Sequence, residues 1–290
     1  MTPSTQRLAP AETRILICDD LSSVAVDTFR SRGFEPEVRT GMTEDELVDA
    51  VPGVHAMVIR SATKVTRRVI EAADELRVVG RAGVGIDNVD RQAATENGVV
   101  VMNTPLGNTV TTAELAISLL CSLSRHIPRA DRLTRGGTWK KKGLMGTELT
   151  GKTLGVIGLG RIGQVVARRA IGLEMNVIAH DPYITASGGD SPVDSVELLE
   201  LDELLTQADF VSLHVPLLDT TRNLLSAEKL ALMKPGARLI NAARGGLVDE
   251  AALAAALDEG RLAGAALDVL AEEPPSDDHP LMGRDDVIIT

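Results

Sequence analysis

The sequence predicts an α/β protein made of two doubly wound parallel-sheet domains, and three observations carry that expectation. Short aliphatic runs alternate with amphipathic helical stretches from one end of the chain to the other. The alternation runs through once, is interrupted by a long helix signal and a basic segment, and then restarts. Apolar residues make up 44% of the 290 residues but aromatics only 2%, so Ala, Val, Leu and Ile must fill the interior. Continuous aliphatic strands covered by helices suit that composition better than an aromatic-rich β-sandwich does.

The elements follow in order. Residues 1–12 are polar, carry two prolines and lack an apolar core, which predicts a disordered tail rather than a signal peptide. Residues 13–103 hold five aliphatic runs: Arg14–Cys18, a weak one at Glu35–Val38, Ala56–Ile59, Arg77–Gly80 and Gly98–Met102. Between the second and third, Thr43 and Glu46 form a capping-box pattern that starts a helix running to Val51. This first domain is expected to be flavodoxin-like. Residues 104–290 form the second domain. It opens with a connector helix from about Thr111 to His126, ended by Pro128, and an arm without clear period at Arg129–Leu149 that carries the only tryptophan, Trp139. Strands are then expected at Thr153–Ile157, Asn176–Ala179, Phe210–Leu213, Arg238–Asn241, Gly264–Leu267 and Val287–Ile289, with a surface loop at Ala186–Ser191. Six strands with helical crossovers are the complement of a Rossmann domain.

Charge and cysteine usage narrow the partners. The net charge of −11 argues against nucleic acid and anionic membranes, both of which demand a basic footprint. It leaves room for a small anionic substrate in a locally basic pocket. No stretch approaches the ~18 apolar residues of a membrane span. Cys18 and Cys121 lie in apolar patterns and are expected to be reduced core residues. No metal-ligand spacing exists, and the expected location is the cytoplasm.

The strongest motif is Leu154-Gly-Val-Ile-Gly158-Leu-Gly160-Arg-Ile-Gly163-Gln, which follows a strand and opens a helix. Gly158 permits the tight turn, Gly160 lets the backbone approach a pyrophosphate, and Gly163 allows close helix–strand packing. The exposed amides and the helix dipole favour the anion. Asp181, about twenty residues on, can accept hydrogen bonds from the adenosine ribose. No arginine follows it to receive a 2′-phosphate, which favours NAD over NADP. A second segment, Asn241-Ala-Ala-Arg244-Gly-Gly, puts an arginine at a strand's carboxyl end, where its planar fork suits a carboxylate. A third, Ala266-Leu-Asp268-Val-Leu-Ala-Glu-Glu273-Pro-Pro275, is an acid-rich loop leaving the next strand. Taken singly, each is also compatible with a solvated surface arginine or carboxylate.

Together these motifs resemble the D-isomer-specific 2-hydroxyacid dehydrogenase family over essentially the whole chain. The phosphoglycerate-type members are the nearest, through Ile59-Arg-Ser-Ala-Thr-Lys-Val65, Val79-Gly-Arg-Ala-Gly-Val-Gly-Ile-Asp-Asn-Val89, Met102-Asn-Thr-Pro, Leu144-Met-Gly-Thr-Glu-Leu149 and Ala265-Ala-Leu-Asp-Val. The resemblance implies that Arg244 holds the substrate carboxylate and carbonyl. It implies that Glu273, less so Glu272, orients and charges a histidine general base. Arg60, Ser61, Gly83, Val84 and Asn108 would line the substrate side, with Lys141 reaching the phosphate of a phosphorylated 2-hydroxy acid across a dimer. Lys140–Lys142 can equally be a solvated basic face. Beyond the glycines and Asp181, the resemblance adds Arg161, Ile162, Val215, Ala242 and Asp268 to the NAD contacts. It also implies a homodimer or higher homo-oligomer formed through the nucleotide domain and the arm.

The expected histidine belongs to a Thr-Pro-His-Gly-like segment, and Thr290 is the residue just before it, so the sequence is expected to be a fragment that lacks its base. His279, six residues past Glu273, sits in a His-Pro turn and is a poor substitute. Other reactions on the same scaffold, the reduction of glyoxylate, hydroxypyruvate or D-lactate partners, are the alternative. An NADH-sensing binding protein of the corepressor type is another.

Overall fold

The structure, a computed structural model, describes residues 8–186 and 188–290. The chain divides into two compact units, the first ending at Asn108 and the second running from Thr109 to Thr290. Most of the expected tail, residues 1–7, lies outside the described residues; beyond it, Pro10–Glu12 make one turn of 3-10 helix.

The first unit holds strands β1 (Ile15–Ile17), β2 (Glu37–Val38), β3 (Ala56–Ile59), β4 (Val78–Arg81) and β5 (Val100–Asn103). They pair in the order β2-β1-β3-β4-β5, every pair parallel, the flavodoxin-like winding. Helices α1 (Ser23–Ser31), α2 (Glu44–Ala50), α3 (Arg67–Ala72) and α4 (Arg91–Glu96) make the crossovers. Each starts where a short polar side chain takes up an orphan amide: Ser22, Thr43, Thr66 and Asp90 all accept one. The capping box at α2 is complete, with Thr43 N donating to Glu46 Oε2 at 2.8 Å and Glu46 N to Thr43 Oγ1 at 3.3 Å. Leu16, Met57, Ile59 and Val79 face a core filled from α2 to α4, such as Leu47 and Ile70. Pairing order reverses between β1 and β3, which makes their carboxyl ends the place where an open α/β sheet leaves a crevice.

The second unit begins with α5 (Thr109–Ser124) and α6 (Ile127–Arg135). Then follow β6 (Thr153–Ile157), α7 (Arg161–Gly172), β7 (Asn176–His180), α8 (Pro182–Ala186), β8 (Glu197–Leu198), α9 (Leu201–Gln207) and β9 (Phe210–Leu213). The unit closes with α10 (Ala227–Leu232), β10 (Ala237–Asn241), α11 (Glu250–Asp258), β11 (Leu262–Leu267) and β12 (Val287–Ile289). The seven strands run β12-β11-β10-β9-β6-β7-β8, all parallel. Successive side chains feed opposite faces: Val156, Phe210 and Ile240 enter one core, Ile157, Val211 and Leu239 the other. This is the Rossmann winding with one strand added beyond the sixth, and its order reverses between β6 and β9.

Two elements differ from the sequence expectation. The edge strand β8 was not expected; two residues, one charged and exposed, carry no readable period. The arm, expected without period, starts with α6. Pro128, expected to stop a helix, instead sits in the first turn of α6, where its missing amide costs nothing, after His126 breaks the path at φ 52°. The rest of the arm is irregular but fastened. Arg129 reaches the Gly143 carbonyl at 3.3 Å, Thr147 N donates to Ser124 O at 2.8 Å, and Arg238 Nη2 donates to Thr147 Oγ1 at 3.1 Å. In the loop expected at Ala186–Ser191, Ser187 lies outside the described residues.

Candidate active site

The glycine turn after β6 leaves no room for a side chain at two of its three glycines, Gly158 and Gly163. Gly158 adopts φ +93° and donates its amide to His180 O at 2.8 Å. A Cβ on Gly158 would meet the His214 carbonyl oxygen at 2.7 Å, and one on Gly163 would meet Gly158 O at 2.0 Å. A Cβ on Gly160 would meet nothing within 4 Å. Gly160 is the N-cap of α7 and supplies no capping side chain, so the amides of the first turn face an open cradle. Arg161 is exposed on that turn, while Ile162 packs inward. The cradle, the helix dipole and the turn fit a pyrophosphate.

Asp181, just past β7, has two tasks. Its Oδ2 accepts from Leu159 N at 2.9 Å, tying it to the glycine turn, and its Oδ1 accepts from Tyr183 N at 3.1 Å and Ile184 N at 3.4 Å. The acid expected to meet a ribose is therefore held against the pyrophosphate cradle by backbone alone. Val215 follows β9, and its Cγ1 would lie 2.8 Å from a Cβ on Gly158. His214 beside it bonds Ser212 Oγ through Nε2 at 2.8 Å, while its buried Nδ1 has no hydrogen-bond partner among the described residues. Burial pushes its pKa down to about 4, so the ring is neutral near pH 7.

The loop after β10 is shaped by Asn241, which is 2% exposed. Its Oδ1 accepts from Ala243 N at 3.1 Å and its Nδ2 donates to Arg244 O at 2.9 Å. Ala242 is thereby buried and Arg244 is half-buried, its Nη1 donating to Ala243 O at 2.6 Å. A Cβ on Gly245 would sit 1.8 Å from Leu270 O, so this loop rests directly on the one that follows β11. There, Asp268 N donates to Asn241 O at 2.9 Å, and Asp268 Oδ1 accepts from Thr290 Oγ1 at 2.7 Å. Glu273 is exposed and folds back so that Oε1 accepts from Leu270 N at 3.0 Å; Glu272 is exposed beside it. The glycine turn, Asp181, Val215, Ala242, Arg244, Asp268 and Glu273 thus all stand at or beyond the carboxyl ends of one sheet's strands. His279 lies in a different environment, with both ring nitrogens engaged.

In the first unit, Arg60 and Ser61 follow β3, and Gly83 and Val84 follow β4, its neighbour. Asp19, 6% exposed at the end of β1, holds the first of these loops. It accepts from the amides of Arg60 and Thr63 and from Thr63 Oγ1 at 2.9 Å. Asn88 closes the loop from the other side, donating to Arg60 O at 2.7 Å and Thr63 O at 2.6 Å. Gly83 O accepts from Thr104 N at 3.0 Å and Val84 O from Asn103 Nδ2 at 2.6 Å. Asn108 is exposed at the end of this unit. Lys141 is exposed on the arm and is not among the strand-end residues of the second unit. Sequence reasoning missed Asp19 and the role of Asn241. Their one signal is a polar residue closing an apolar strand, as in Leu16-Ile-Cys-Asp19 and Leu239-Ile-Asn241.

Among the described residues no cluster of three or more His, Cys, Asp or Glu could hold a metal ion, and no helix is long and apolar enough to cross a membrane.

The family model described as the D-isomer specific 2-hydroxyacid dehydrogenase NAD binding domain matches residues 117–290. The chain belongs to the D-isomer-specific 2-hydroxyacid dehydrogenase family. The chain is 48% identical over 277 residues to a D-3-phosphoglycerate dehydrogenase from Archaeoglobus fulgidus, covering 96% of this chain and 52% of the relative. A protein of the same name from Methanocaldococcus jannaschii is 49% identical over 278 residues, covering 96% and 52%. The chain spans about half the length of these curated relatives. Among solved structures, the TT0316 protein from Thermus thermophilus matches with a TM-score of 0.87 and 39% identity, over 96% of this chain and 88% of that one. The seven-stranded unit carries the match to the NAD-binding domain of that family.

Proposed function

We propose that the chain carries the substrate-side and NAD-binding units of a D-3-phosphoglycerate dehydrogenase, which oxidises D-3-phosphoglycerate to 3-phosphohydroxypyruvate at the first step of serine biosynthesis. The observation that carries the reading is the 48% identity to a protein of that name across 96% of the chain.

NAD supplies the acceptor for the two electrons leaving the 2-carbon. The chain's own residues do the rest. The first turn of α7 would hold the pyrophosphate, and Asp181 would take the ribose hydroxyls and disfavour a 2′-phosphate by charge repulsion. Val215, Ala242 and Asp268 would complete the lining that holds the nucleotide. Arg244 holds the carboxylate through a two-pronged contact that a lysine could not reproduce. Glu273 orients and charges an imidazole that takes the hydroxyl proton, a role suited to a group titrating near neutrality. Arg60 and Ser61, with Gly83, Val84 and Asn108, are the substrate contacts offered by the first unit, and Arg60 with Lys141 reaching across from a second copy provides two cations for a doubly charged phosphate.

The chain acts in the cytoplasm and pairs with a second copy through the arm. Trp139 at 82% exposure and Met145 at 91% present apolar surface there, while Arg129 and Thr147 tie the ends of the arm to Asp285 and Arg238 of their own unit.

The test is NADH formation from D-3-phosphoglycerate, measured on the 290-residue chain and on one continued past Thr290 through a Pro-His segment. Turnover by the continued chain supports the substrate, the scaffold and the role of an added histidine together. NAD binding without turnover of phosphoglycerate would move the assignment to another 2-hydroxy acid, or to a binding protein if none is oxidised.

A further inference from the structure

His279 is drawn into no step above, yet it is among the most constrained polar side chains of the second unit. Its side chain is 11% exposed and lies against Glu250, itself 12% exposed, with Nε2 2.9 Å from Glu250 Oε2. Leu281 N donates to its Nδ1 at 3.3 Å. A ring nitrogen that accepts from an amide carries no proton, so the proton sits on Nε2 and is donated to the carboxylate. The other oxygen of Glu250, Oε1, accepts from Ala271 N at 2.8 Å. Glu250 opens α11, six residues past Arg244, whereas Ala271 and His279 bracket Glu273. The pair therefore bonds the arginine loop's far end to both sides of the acidic loop. At the near end the two loops already touch, because Gly245 leaves room for Leu270 O. Leu281, which carries the amide that fixes the imidazole, is 1% exposed in the core.

We propose that His279 and Glu250 form a latch that fixes the loop bearing Glu273 against the loop bearing Arg244, which makes His279 a positioning residue for the active site. The inference rests on the roles given to Arg244 and Glu273 above. Two loops pinned at two points cannot slide past each other, and misplacement of about 1 Å at a reacting group can lower turnover by orders of magnitude.

The experiment has two arms. In the 290-residue chain, amide hydrogen exchange is followed at Leu270, Ala271 and Leu281, with Leu253 and Leu257 of α11 as references. His279→Ala is expected to speed the three loop amides by about tenfold or more while the references hold. His279→Gln, whose amide can both donate to Glu250 and accept from Leu281, should bring them back to within about threefold. If His279→Ala does not fold, Glu250→Gln is read at the same amides. In the turnover-competent continued chain, His279→Ala should lower kcat by about tenfold, leave KM for NAD within about twofold, and be rescued by His279→Gln. Unchanged exchange overturns the latch whatever the substrate is. Faster exchange with unchanged kcat overturns the positioning role. A parent that oxidises no 2-hydroxy acid overturns the functional reading instead, and the exchange arm still decides the latch.

Discussion

An alanine at position 163 would put its Cβ 2.0 Å from the Gly158 carbonyl oxygen, backbone that cannot swing aside. Gly163→Ala should therefore push α7 off the turn after β6, destabilise the second unit by about 1–3 kcal/mol and abolish measurable NAD binding in a titration followed by nucleotide fluorescence. His214 yields a prediction in pH. The folded chain protonates its imidazole near 4, whereas the unfolded chain does so near 6.5. Between those values the unfolded state binds the extra proton, so stability falls as the medium is acidified, by about 1.4 kcal/mol per pH unit from this group. Above 6.5 both states are neutral there and the contribution is flat. In urea unfolding, the stability difference between wild type and His214→Gln should shift by about 2 kcal/mol toward the variant on going from pH 7 to pH 5. An equal difference at the two pH values would show that the imidazole titrates alike in the folded and unfolded chains, so that burial does not hold it neutral.

Elements become active surfaces here through side chains that serve the backbone. Asp19 joins the end of β1 to the loop after β3 by accepting the amides of Arg60 and Thr63. Asp19→Ala should leave those two donors unmet, costing about 1–3 kcal/mol in the first unit. Hydrogen exchange at Arg60 and Thr63 should rise, while NAD affinity, which belongs to the other unit, should not change. How much could be read from the sequence follows the same division. Strands β3, β6, β9 and β12 stand where their aliphatic runs predict them, because each run is bounded by polar or glycine residues that cannot continue it. The glycine turn is legible since its spacing states its backbone geometry. Asp19 and Glu250 escape notice because their meaning lies in partners brought from elsewhere; Arg60 is 41 residues from Asp19 and His279 is 29 from Glu250. Helix α6 escaped because a proline such as Pro128 can follow the end of one helix or open the next, and periodicity cannot tell those roles apart.

At the scale of the whole chain, each unit owns its core. The first is built around Leu16, Met57 and Ile59, and the second from two clusters on either side of β6 to β12. Every residue assigned to NAD lies in the second unit. A chain of residues 109–290 expressed alone should unfold cooperatively in calorimetry and bind NAD within about threefold of the 290-residue chain. Loss of binding in a folded fragment would show that the first unit contributes to the nucleotide site.

The arm carries one more consequence, and it is optical. Trp139 is the sole tryptophan of the chain and is 82% exposed, so its indole should emit as a solvated ring and be quenched freely by acrylamide. It stands on the segment between α6 and β6, apart from the strand ends that receive the nucleotide. Its emission would then stay silent to changes at the cofactor turn and shift to the blue only when another surface covers the arm. The chain thus carries its own probe of whether a second copy covers the arm, readable by dilution without any added label.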